Sequence, residues 1–270
     1  MATNMRYPIL LVHGMGYRDD KKFGYWGRIP KLLKSEGFDV HLGYHDANAD
    51  IETNAAHLAR RIDEVLSETG AEKLNIIAHS KGGLDSRYAI STLGAGTKVA
   101  SLTTMSSPHN GSKTMDILMK FPRPLIRIVA FFTDCWFYVQ GDKKPDTYKV
   151  FHCFKTDTIA EFNANNPNLD GIMYQSYAFV MRNCFSDPVF GIPNFVVNLI
   201  EGENDGLLTP DAVKWGDFRG IYRGTGRRGI SHVDEIDFWR RKVKIGTDDG
   251  YTDIMKLYLD VAKELAERGY

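Results

Sequence analysis

No apolar run in this 270-residue chain is long enough to span a bilayer. Nor does it open on a basic stretch, an apolar core and a small-residue cleavage site; Met1 to Pro8 leads straight into the apolar stretch Ile9 to Val12. As it stands the chain reads as cytoplasmic, although a secreted protein already trimmed of its signal would read the same. Charge of one sign is also missing. Lys+Arg and Asp+Glu both number 34, which removes the basic excess that binding to nucleic acid or acidic lipid would need and suits an uncharged, greasy substrate. Cysteine is scarce. Cys135, Cys153 and Cys184 are odd in number and widely spaced, so they form no disulfide framework and no CxxC metal motif. At most one disulfide could form, and buried thiols are the expectation. Repeats and low-complexity linkers are absent too.

What remains is the composition of a globular chain, 43% hydrophobic and 25% charged. Its length suits a single α/β domain over 1–270 with an insertion. Tyr7 to His13 is a short continuous apolar run, as expected of a strand buried on both faces. Trp26 to Glu36 reads as a helix ended by Gly37, and Phe38 to Leu42 as a second strand. Ile51 to Thr69 is the clearest helix: Ile51, Ala55, Leu58, Ile62, Val65 and Leu66 share a face, and Gly70 closes it. Lys73 to Ala78 and Val99 to Met105 are further buried strands, and Ile254, Leu257, Tyr258, Val261 and Leu265 mark an amphipathic C-terminal helix. Helices alternating with such strands imply a mostly parallel sheet covered on both faces.

The sharpest motif is Ala78-His79-Ser80-Lys81-Gly82-Gly83, set between a buried strand and a helix. This is a nucleophile elbow with Ala in the first small position. The turn is so tight that side chains two residues before and after the serine would strike backbone, and Ala78 and Gly82 meet that demand. It lifts the Ser80 hydroxyl to a helix N-terminus, where amide donors and the helix field favour a developing oxyanion. His79 is expected to point into the scaffold. A serine hydroxyl needs a base, and the base an orienting acid. In the α/β-hydrolase fold these follow in the order serine, acid, histidine. His232, in Gly229-Ile-Ser-His-Val-Asp234, fits better than His152. Asp205, beside Gly206 in turn chemistry, fits the acid; Glu203, Asp187 and Asp211 are rivals. His13-Gly14-Met15-Gly16 after the first strand reads as the oxyanion loop, so the backbone amides of Met15 and Lys81 would face the oxyanion. His13 itself reads as a structural hydrogen-bonding residue.

These segments resemble the bacterial triacylglycerol lipases of the Pseudomonas and Burkholderia type and their smaller clostridial relatives. The resemblance runs through Tyr7 to Gly14, Tyr25-Trp26-Gly27, Lys73 to Tyr88, Val99 to Thr104 and Ser107-Pro-His-Asn-Gly-Ser112. It continues through Glu203 to Leu207, Trp215-Gly216 and Gly229 to Asp237. It implies an α/β-hydrolase with Ser80, Asp205 and His232 as catalytic triad and Met15 and Lys81 at the oxyanion hole. The implied activity is hydrolysis of carboxylic esters, lipid esters such as triacylglycerols foremost, at a lipid–water interface, with no cofactor. Larger relatives hold a structural calcium through an acid two residues after the catalytic histidine. Asp234 matches that acid, but Phe238 stands where a glutamine is expected and Asp187 lies only near the place of the second acid. Asp234 is therefore expected to serve as a local salt-bridge or hydrogen-bond partner.

Such lipases carry a lid after the Pro-His-x-Gly-Ser motif. Here the insertion runs over about 113–170, and Met115 to Val139 is dense in large apolar residues. Pro122, Pro124, Lys120, Arg123 and Arg127 break up a core pattern, so a helical lid lining an acyl pocket is the expectation, with an ordinary core helix pair as the alternative. A carboxylesterase for short soluble esters, a thioesterase or acyltransferase, and a catalytically silent binding protein on the same fold are the competing functions.

Overall fold

The computed structural model describes residues 5–19, 24–247 and 250–270. In chain order it contains β1 (Ile9–Val12), α1 (Ile29–Ser35), β2 (Val40–Leu42), α2 (Ile51–Thr69), β3 (Leu74–His79), α3 (Lys81–Ser91) and β4 (Val99–Met105). Four helices follow: α4 (Lys113–Leu118), α5 (Arg123–Gln140), α6 (Thr147–Cys153) and α7 (Thr156–Asn165). Then come β5 (Met173–Val180), α8 (Gly191–Ile200), α9 (Pro210–Val213), β6 (Asp217–Arg223), the hairpin of β7 (Lys244–Thr247) and β8 (Gly250–Asp253), and α10 (Ile254–Glu267).

Six strands form one parallel sheet in the order β2-β1-β3-β4-β5-β6. Alternation along each strand sends side chains to two separate cores. Ile9, Leu11, Ile77, Tyr177 and Phe179 pack with α1 and α10 on one face. Leu10, Val12, Leu74, Ile76 and Leu102 pack with α2 and α3 on the other. Helix α2 starts where Asp50 accepts the Thr53 N–H at 2.8 Å and stops at Gly70, which turns left-handed at φ 68°.

The order reverses between β1 and β3, which lie side by side with helices leaving to opposite faces. A crevice opens at the carboxyl ends of strands at such a switch point. Here those ends are His13-Gly14 and Ser80. The insertion is helical, as expected, but a core helix pair it is not. Of the large apolar residues of α5, only Phe137 is buried, while Phe131, Phe132, Trp136 and Val139 are 62–82% exposed. The thiols correct the expectation of burial: all three are free, Cys135 is exposed on α5 and the other two are half-buried. Among the described residues no helix is long and apolar enough to cross a membrane.

Candidate active site

Ser80 caps α3 with φ 54° and ψ −131°, a backbone conformation that a side-chain-bearing residue adopts only at a cost of about 1–3 kcal/mol. The glycines around it explain how the turn is packed. A Cβ on Gly82 would stand 2.4 Å from the His13 carbonyl oxygen and 2.6 Å from that of Val12. One on Gly14 would stand 2.6 Å from the Ser80 Cβ. The elbow and the loop after β1 therefore touch closely, with Gly14 against the serine and Met15 next to it in the chain. Gly16 N–H donates to the Ala47 carbonyl at 3.3 Å and anchors the far side of that loop.

Asp205 and His232 lie 27 residues apart in sequence and meet: His232 Nδ1 is 2.7 Å from Asp205 Oδ2, and the His232 N–H donates to the Asp205 carbonyl at 2.8 Å. Asp205 Oδ1 accepts the amides of Leu207 and Leu208, each at 2.8 Å. Burial pushes this carboxyl up, but the His232 ring and those donors outweigh it and hold Asp205 below the usual carboxylate range. An anion on Nδ1 fixes the tautomer that leaves Nε2 free to accept a proton. The His232 ring lies over that of His79, the residue before Ser80, with centroids 4.5 Å apart. The rivals fall elsewhere: Glu203 pairs with Arg223 at the surface, and Asp211 sits in the first turn of α9.

Behind these residues runs a buried polar chain that the sequence did not reveal. Tyr25 Oη is 2.6 Å from His79 Nδ1, and His79 Nε2 is 3.2 Å from Glu235 Oε2. Burial, then the neighbouring His232, hold His79 well below the usual histidine range, so its ring is neutral. Burial and the Asp205 charge push Glu235 well above the usual carboxyl range, which favours its protonated form. One consistent assignment results: the Tyr25 hydroxyl donates to Nδ1, and Nε2–H donates to Glu235. The expected inward direction of His79 is thus given a reason. His13 is likewise bonded within the scaffold, to the carbonyls of Gly14 and His45 at 2.7 and 3.1 Å. Lys81 turns its side chain inward, 1% exposed, and its ammonium donates to both oxygens of Asp85 at 2.6 and 2.8 Å.

Asp234 and Asp187 converge, closer than the sequence suggested, but not as a calcium site. Arg241 lies between them. Its Nε and Nη2 donate to Asp234 at 2.6 and 2.7 Å, and Nη2 also donates to Asp187 at 3.2 Å. Asp187 further accepts the Val189 and Phe190 amides, Trp239 Nε1–H and the Ser231 hydroxyl. Calcium takes about six to eight oxygen ligands. These carboxylate oxygens all face donors, and Phe238, where the resemblance expects a glutamine, offers no ligand oxygen and packs edge-on against Tyr17. The residues do not fit calcium.

The chain is similar to known hydrolases. Residues 8–178 match the palmitoyl protein thioesterase family model. A triacylglycerol lipase of Vibrio cholerae is 35% identical over 269 residues, covering 87% of this chain and 81% of the relative. Triacylglycerol lipase 2 of Saccharomyces cerevisiae is 29% identical over 265 residues, covering 91% of this chain and 74% of the relative. Among solved structures, the lipase of Staphylococcus hyicus superposes with a TM-score of 0.69 at 14% identity, over 98% of this chain and 97% of that one; this likeness is one of fold.

Proposed function

The chain belongs to the triacylglycerol lipase family of α/β-hydrolases and is a carboxylic ester hydrolase, and from that premise we propose that it cleaves long-chain lipid esters, triacylglycerols foremost, through an acyl-enzyme on Ser80. His232 takes the Ser80 proton as the hydroxyl attacks the ester carbonyl. Asp205 keeps the ring in the accepting tautomer and offsets its charge once protonated. The amides of Met15 and Lys81 hold the tetrahedral oxyanion. The alcohol leaves with the proton from His232, and water then cleaves the acyl-enzyme by the same route. Of the chain's own features, the strained Ser80 backbone packed against Gly14 carries the chemistry of this reading.

A lipid substrate is favoured by where the apolar surface lies. Helix α5 exposes Leu125, Ile128, Val129, Phe131, Phe132, Trp136 and Val139, far more than a water-facing helix needs. Its C-terminal end is tied to the segment that also anchors the oxyanion loop. The Asp142 carboxylate accepts the Ala47 and Asn48 amides at 2.9 and 2.8 Å, and Ala47 in turn accepts from Gly16. We read α5 as a lid hinged beside the site. The thioesterase family match favours palmitoyl thioesters as a second substrate class, since the acyl-enzyme is the same.

Hydrolysis of p-nitrophenyl esters from short to long acyl chain, below and above their aggregation concentration, tests the proposal, with Ser80→Ala as control. A rise on aggregated long-chain ester, absent in the control, is expected. Activity confined to short soluble esters would make the chain a carboxylesterase, and activity retained in Ser80→Ala would refute the nucleophile.

A further inference from the structure

His232 is the second residue of a tight turn that Asp234 N–H closes on the Ser231 carbonyl at 2.8 Å. Both ends of that turn are tied down. The Ser231 hydroxyl lies 3.0 Å from Asp187 Oδ2 and 3.0 Å from Asp234 Oδ2, and the Ser231 N–H also donates to Asp234. Asp187 belongs to another segment, just ahead of α8, where its Oδ1 accepts the amides of Val189 and Phe190. The side chains of Asp187 and Asp234 are 0% and 2% exposed. Two buried carboxylates facing each other repel unless a cation stands between them. The guanidinium of Arg241 is that cation.

We infer that Arg241 is a tethered replacement for a divalent cation, holding the His232 turn to the Asp187 segment without any metal. A guanidinium suits the task. It never loses its charge and presents donors in a plane that matches a carboxylate edge. Its two bonds to Asp234 use that fork, and the spare reach of Nη2 recruits Asp187. One positive charge leaves one of the two negative charges uncompensated, where a divalent ion would leave none. The remaining donors make up the difference: the Val189, Phe190 and Ser231 amides, the Ser231 hydroxyl and the Trp239 indole N–H all point at these carboxylates. In consequence Asp187 stays below the usual carboxylate range although burial pushes it up. The advantage over an ion is that the cation is part of the chain and cannot be stripped by chelators. Arg241 is thus a positioning residue for His232, and that step rests on reading His232 as the general base.

The same geometry predicts the effect of removing the guanidinium. Arg241→Gln leaves two buried carboxylates, a side-chain amide oxygen and the Ser231 hydroxyl around a space that held a cation. Asp187 and Arg241 line a cleft of about 810 Å³ that opens to solvent, so an ion can reach it. The test compares the native chain and Arg241→Gln in EDTA and in millimolar calcium, reading Tm, calcium binding by calorimetry, and kcat and KM separately. The native Tm and kcat should not move with either addition. Arg241→Gln in EDTA should lose about 5 °C in Tm and about tenfold in kcat with KM little changed, and calcium should bind and restore most of both. A native chain that loses stability in EDTA and regains it with calcium overturns the inference. So does an Arg241→Gln chain with native Tm, or one whose losses calcium leaves untouched. If the variant does not fold in EDTA, refolding with and without calcium decides: recovery with calcium alone supports the inference, and no recovery in either overturns it. Tm and calcium binding are read without substrate, so they stand or fall apart from the role of His232.

Discussion

Glu235 Oε2 lies 3.2 Å from His79 Nε2, with neither side chain exposed to solvent. Asp205, Asp234 and Ser106 face the same carboxyl. Burial and the Asp205 charge raise the Glu235 pKa well above its ordinary 4.5, so above that pH the unfolded chain has released a proton that the native chain still holds. Stability from this group is fully present below the ordinary value and is lost as pH rises through the raised one. Glu235→Gln keeps an amide N–H for Asp205 and an oxygen for His79 but cannot titrate. Differential scanning calorimetry from pH 5 to pH 8 should show the native Tm falling relative to the variant. A constant difference across that range would mean that Glu235 is ionised throughout. Glu235→Ala, which leaves the His79 donor unpaired, should cost about 1–3 kcal/mol at any of these pH values.

The residues around Ser80 were legible because their constraint is local and steric. The need for small residues at 78 and 82 can be written down from the turn alone, and the contact of Gly82 with the His13 carbonyl is its realisation. Helix α2 was legible through its period and its closing glycine, and chain order pointed to Asp205 and His232, which the structure sets 2.7 Å apart. What stayed hidden depends on contacts between distant segments. Arg241 reaches a carboxylate 54 residues away, and Glu235 meets His79 across 156; neither carries a periodic or compositional mark. The exposure of Cys135 was misjudged because an apolar helix normally buries its apolar face, and α5 does not.

Lys81 separates a backbone role from a side-chain one. If its amide serves the oxyanion, the side chain matters only through its buried pair with Asp85. Burial, partly offset by Lys81, pushes that carboxyl up to about 6. Lys81→Met removes the cation and leaves the buried Asp85 carboxylate with the Asn54 amide but no counter-charge from Lys81, at a cost of up to about 3–5 kcal/mol. The double variant Lys81→Met/Asp85→Leu removes both charges and should recover most of that stability together with kcat. Urea denaturation of the single and double variants measures the difference. A double variant that is stable but inactive would show that the ammonium itself takes part in catalysis.

Gly82→Ala tests the contact between the elbow and the oxyanion loop. The atoms its Cβ would meet are the carbonyls of Val12 and His13, which are backbone and cannot swing aside. The loop from Gly14 to Gly16 must then shift, carrying the Met15 amide with it. A stability loss of about 1–3 kcal/mol is expected from overpacking, with kcat falling more than KM rises because the displaced amide acts on the transition state. Unchanged kcat in a destabilised variant would argue that the loop does not contribute to the oxyanion hole.

The apolar face of α5 distinguishes a lipase lid from surplus surface. Phe132 and Trp136 are 68% and 62% exposed, so replacing both with Ser removes little packing and should leave Tm within about 2 °C of the native value. Hydrolysis of a short soluble ester should be unchanged within about twofold. On emulsified long-chain triacylglycerol the same variant should lose most of its activity, and its adsorption to zwitterionic lipid vesicles should weaken in parallel. The two losses should track one another because one exposed apolar surface would serve both adsorption and substrate capture. Equal loss on soluble and emulsified substrate would mean that these side chains shape the acyl site itself. No loss on either would leave α5 without a part in substrate capture.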